Sequence, residues 1–130
     1  MSHFSTIKTK ITEKTILIEA LNLLGHWPEE NQELSIYGAH SKNHSKVNAD
    51  LAITEDIGFK LNPETKAYDL VAELDTWDLD VPVNRFIEKL TQQYARMSIH
   101  NNVKEMGFEV AEEWEMDDNS IELTVTRWID

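Results

Sequence analysis

The chain has 130 residues, 41% of them hydrophobic, a formal net charge of −12 and no cysteine. That length fits one domain around one core. The negative charge excludes a surface built to track nucleic-acid phosphates, and the missing cysteines exclude disulfides, thiolate metal sites, iron–sulfur ligation and a cysteine nucleophile. No apolar run approaches a membrane span, and the opening residues lack signal-peptide character. The charge is uneven: residues 1–65 hold six Lys/Arg against nine Asp/Glu, and residues 66–130 hold six against fifteen.

In chain order, residues 4–11 are rich in β-branched side chains and predict a first strand. Thr12 is a suitable N-cap. Ile16, Leu17, Ala20, Leu21 and Leu24 then recur at helical spacing, and Gly25 ends that helix. Trp27 is expected to fold back over the helix end. Residues 33–39 suggest a second strand. Residues 39–48 are the one locally basic stretch, with His40, Lys42, His44 and Lys46. Further strands are predicted at 47–53, 57–61 and 67–74, the last two joined by a turn at 62–65. Residues 75–80 form an acidic connection.

Residues 82–107 predict the main helix. Pro82 suits a first helical position, where its missing N–H costs nothing, and Gly107 suits the stop. Val83, Phe86, Ile87, Leu90, Tyr94 and Met97 form one apolar stripe, while Ile99, Val103 and Met106 form a second set out of phase with it. The spacing predicts a continuous helix whose C-terminal third meets a different neighbour. Met97 and Met106 read as core filling. Residues 108–116 and 120–128 predict a closing hairpin, with Ile121, Leu123 and Val125 alternating with Glu122, Thr124 and Thr126. Phe86, Leu90 and Tyr94 are expected to face the sheet together with Ile121 and Leu123. The order β-α-β-β-β-β-α-β-β predicts a single α+β domain over residues 1–130, a mainly antiparallel sheet with two helices packed on one face.

Several segments together carry a family resemblance: MSHFSTIKT at 1–9, DIGF at 56–59, YDLVA at 68–72, FIEKLTQQYA at 86–95, GFEV at 107–110, SIEL at 120–123, and Arg127 with Trp128. In this order and spacing the chain resembles the hypothetical chloroplast open reading frame 35 family of algal plastids and cyanobacteria. The resemblance implies a plastid stroma or a cyanobacterial cytoplasm. It assigns no active site, because the family is a domain of unknown function, and so it predicts location better than chemistry.

The residues name no reaction. Asp75, Asp78 and Asp80 offer oxygen ligands of the kind hard cations take, but the glycine turn and distal glutamate of a calcium loop are out of register. His40 and His44 would share a helical face, as metal-binding histidines often do, yet Ser41, Lys42 and Asn43 read as a loop. His3 and His100 stand alone. Glu112, Glu113, Glu115, Asp117 and Asp118 gather on the closing hairpin, where they read as a charged edge that discourages strand pairing or as a partner face. The sequence therefore favours a non-catalytic interaction or assembly module whose partner is a protein with a basic surface. No nucleic acid, cofactor, metal or membrane span is expected, and the oligomeric state stays open. One alternative is a small-ligand domain with a pocket between sheet and main helix lined by Trp77, Tyr94 or Trp114. A third reading is a metal-dependent enzyme built on the 75–80 loop.

Overall fold

The computed structural model describes residues 4–36, 45–116, 118 and 120–127. The elements follow the predicted order: β1 (Ser5–Ile7), α1 (Lys14–Leu23), β2 (Glu29–Ile36), β3 (Ser45–Ala52), β4 (Ile57–Leu61), β5 (Tyr68–Ala72), α2 (Val83–Glu105), β6 (Phe108–Glu115) and β7 (Ile121–Arg127). A single 3-10 turn, Leu74–Thr76, lies between β5 and α2. Among the described residues every strand pairing is antiparallel, so the fold is α+β. The strands divide into a five-stranded sheet, ordered β1-β5-β4-β3-β2, and a separate two-stranded sheet, β6-β7. Among the described residues, no helix is long and apolar enough to cross a membrane.

Alternation along β5 decides what each face of the larger sheet does. Tyr68, Leu70 and Ala72 point to the helix side and join Phe59, Leu17, Leu21, Phe86 and Leu90 in the main core. Both helices therefore cover one face, as the apolar stripes predict. Val71 points the other way and meets Leu34, Ala49 and Ala52 in a smaller cluster. Gly58 sits between these layers. A Cβ there would lie 2.5 Å from the Leu51 carbonyl oxygen, closer than van der Waals packing allows, so only glycine fits.

The helix ends depart from the sequence reading in detail. Glu13, not Thr12, occupies the N-cap of α1 and gives no side-chain cap. The Tyr94 hydroxyl on α2 supplies it instead, accepting from the backbone N–H groups of Thr12 (3.2 Å) and Glu13 (3.0 Å). Thr12 precedes the helix and Glu13 is its N-cap, so neither N–H has an intrahelical acceptor; one phenol satisfies both and ties the two helices together. Pro82 is the N-cap of α2, one position before the first helical residue. Gly25 and Gly107 follow the two helix ends with φ of +90° and +85°, the left-handed conformation that closes a helix. Trp27 does not fold back and is 73% exposed. His26 takes that place, its ring edge-on to Phe86 at 5.6 Å.

Helix α2 runs unbroken for 23 residues, about 34 Å at 1.5 Å per residue. Its first part buries Phe86 and Leu90 in the main core, and its last part carries the β6-β7 hairpin. The expectation that Ile121 and Leu123 would join Phe86 and Leu90 is therefore wrong: they lie across a groove from Ile87, Ala95 and Ile99, on a different side of the helix. Met106, expected in the core, is 70% exposed.

Candidate functional site

The acidic residues of the hairpin divide between its two faces. Glu113 and Glu115 turn towards α2. Glu113 Oε1 accepts from Arg96 Nε, and its Oε2 lies 3.3 Å from His100 Nε2. Glu115 accepts from Gln92 Nε2 at 3.3 Å. Arg96 and His100 are four residues apart on a helix, so they share a face and meet one carboxylate together. Partial burial of Glu113 opposes its ionisation. The Arg96 hydrogen bond and charge, followed by those of His100, outweigh burial and hold the carboxyl below its ordinary range. The cluster Arg96–Glu113–His100 is the polar clamp between helix and hairpin. Sequence reasoning treated His100 as isolated and overlooked Arg96. The i, i+4 spacing of an arginine and a histidine opposite an acid-rich strand was the signal that pointed to them.

Glu112 does not share that clamp. A register shift between Val110 and Glu112 bulges β6 and re-aims the residues after it. Glu112, Trp114, Glu122 and Thr124 are all exposed, and Trp114 stands directly across from Glu122. This outer face carries a large aromatic, 43% exposed, among carboxylates. Asp118, at the tip, accepts from the hydroxyl and the backbone N–H of Ser120 at 2.5 and 3.0 Å, and the hydroxyl bond above all lowers its pKa. Asp117 lies outside the described residues.

The three carboxylates of the 75–80 loop are not brought together. Asp78 and Asp80 border a cavity of about 380 Å³ beside His26, Val81 and Lys89, and Asp75 does not. The backbone N–H of Asp75 instead donates to Glu73, which caps the 3-10 turn. Among the described residues, no three His, Asp or Glu side chains gather where they could hold a metal ion. Within the basic stretch, Lys46 pairs with Glu33 at 3.5 Å. His40, Lys42 and His44 lie outside the described residues, as does His3.

The aromatic residues suggested for a ligand pocket are also dispersed. Trp77 packs edge-on to Phe86 at 5.6 Å and donates its indole N–H to Val81. Tyr94 caps α1, and Trp114 faces outward. A wide apolar groove lies elsewhere, between α2 and β7. It holds about 640 Å³ and is lined mainly by Ile87, Thr91, Ala95, Ile99, Ile121 and Leu123.

These features define a small α+β protein whose last helix mounts an acidic hairpin beside the main sheet. Residues 20–124 match the family described as "Protein of unknown function (DUF1257)", and the chain belongs to that family. It is similar to proteins named "Uncharacterized protein ycf35". The relative from Pyropia yezoensis is 36% identical over 98% of both chains, and that from Cyanophora paradoxa is 34% identical over 98% of both. The relative from Guillardia theta is also 34% identical, over 98% of both. The family resemblance carried by the sequence segments is thus the one these relatives share. No solved structure matches the chain.

Proposed function

We propose that this chain is a non-catalytic interaction or assembly module of the plastid interior, and that its acidic hairpin receives a protein with a basic surface. The likeness to ycf35 proteins supports the plastid setting. The observation that carries the reading is the outer face of the two-stranded sheet, where exposed Trp114 stands among Glu112 and Glu122. A two-stranded hairpin is marginal unless something packs on it, and here α2 covers only one face. An exposed tryptophan ringed by polar side chains is the composition of a binding anchor, and carboxylates around it attract a basic partner over long range. Glu112 and Glu122 supply exposed charge to that surface, while Glu113 and Glu115 serve it from behind by fixing the hairpin to the helix.

The test is kinetic. Once a partner has been captured from plastid extract and purified, its association rate should fall as salt rises. Glu112→Gln should slow association more than it speeds dissociation, and Trp114→Ala should speed dissociation. A salt-insensitive association rate, or a partner whose contacting surface is acidic, contradicts the proposal.

A further inference from the structure

The groove between α2 and β7 has the shape of a seat for another helix. Ile87, Thr91, Ala95 and Ile99 line it at intervals of four residues, forming one continuous row along α2 about 18 Å long. Rows of this kind are the ridges and grooves through which helices pack. Here the two middle residues are small and the two ends are isoleucines, so the row is a shallow trough with an apolar contact at each end. Ile121 and Leu123, two apart on β7, form the opposite wall. Ile99 is 41% exposed, so this apolar row is open to solvent. The same row contributes nothing to the main core except Ile87 at its border.

The charges at the groove decide its occupant. Glu88 and Asp118 stand along its lining, and Arg96, the one cation among the described residues there, is already bound to Glu113. Glu88 has an exposed neighbour, Arg85, at 3.3 Å, a pair that water screens and that gives little energy. Asp118 is held ionised by Ser120. A second copy of a chain with net charge −12 would bring the same acids to the same rim, which opposes self-association there.

Resting on the interaction-module reading, we infer that the α2–β7 groove is a docking site for a basic amphipathic helix of another protein. Its apolar stripe lies along Ile87, Ala95 and Ile99 against Ile121 and Leu123, and its flanking lysines or arginines reach Glu88 and Asp118. This is the helix-in-groove mode of recognition, in which anchors at i, i+3, i+4 and i+7 supply the burial.

A synthetic probe tests this without knowledge of the natural partner. The probe is an amphipathic peptide about five turns long, with one leucine stripe flanked by lysines. A scrambled peptide of the same composition is its control. Fluorescence anisotropy on the full chain should show saturable binding of the probe, about tenfold tighter than the scramble. Ala95→Gln and Ile99→Gln, both at exposed positions, should each weaken binding by about tenfold without changing the melting temperature. Glu88→Gln combined with Asp118→Asn should flatten the salt dependence. Absent probe binding, or equal binding of probe and scramble, overturns the inference. Binding lost in Trp114→Ala but kept in Ile99→Gln also overturns it, while leaving the module reading intact with its contact on the outer face. Self-association of the protein alone, abolished by Ile99→Gln, would assign the groove to a second copy and likewise overturn it.

Discussion

The five-stranded sheet with its helices and the β6-β7 hairpin are built on the same chain by different physics. Every described hydrophobic residue that is fully buried precedes Thr91, the last being Leu90 on α2. Beyond that point each described apolar side chain of the helix and hairpin is at best partly buried. The main body is held by a closed apolar core. The hairpin is held by one helix face, its own ladder and the Arg96–Glu113–His100 cluster. The difference teaches where cooperativity ends. Fully buried contacts couple a region to global unfolding, whereas thinly buried ones open at lower cost.

The largest expected effect lies in the body. Leu90→Ala removes a fully buried side chain and should cost about 2–5 kcal/mol in denaturant unfolding. A loss below about 0.5 kcal/mol, the scale of an ordinary surface substitution, would break the comparison by showing that α2 is not locked into the core. Gly58→Ala comes next. Its methyl would press on the Leu51 carbonyl, a backbone atom that cannot swing away, and overpacking of this kind costs about 1–3 kcal/mol. Unchanged melting would show that β3 and β4 are less tightly seated than the structure has them.

A smaller and more local effect is expected at the hairpin. Glu113→Gln should leave global unfolding within about 1 kcal/mol of the parent, because a partly exposed ion pair contributes on that scale, yet raise amide exchange in β6 and β7. The pH dependence has a definite sign. The folded-state pKa of Glu113 is lowered, so its stabilisation is complete above the ordinary carboxylate value. It is lost as pH falls through the lowered value. Acidification should therefore loosen the hairpin before the body, and Glu113→Gln should remove that step. Persistence of the step in the variant would assign it to another group.

The element order was legible because periodicity reports it directly: period two at 57–61 and 121–127, and a stripe at 83–97. The division into two sheets was not. Alternation at Ile121 and Leu123 shows that one face of β7 is covered, but not what covers it. Both side chains suit the Phe86–Leu90 core by chemistry, and only the three-dimensional path past Gly107 sends them to the other side of α2. The phase change at Ile99 and Val103 was the visible trace of that second neighbour. At the candidate site, the exposed acids were legible as composition. Their division was not, since the bulge between Val110 and Glu112 leaves Glu112 outside the clamp that holds Glu113. The N-cap fared similarly: Thr12 had the right chemistry, but a phenol 82 residues away reached its backbone N–H.

Native-state hydrogen exchange resolved by residue is the direct test of a body and a hairpin held by different forces. Amides of β4 and β5 should exchange only through global unfolding, with an opening free energy equal to that from denaturant melts. Amides of β6 and β7 should exchange through a local opening that is independent of Leu90→Ala and responsive to Glu113→Gln. Equal protection in both sheets, falling together in Leu90→Ala, would contradict the account and make the hairpin an integral part of one cooperative core.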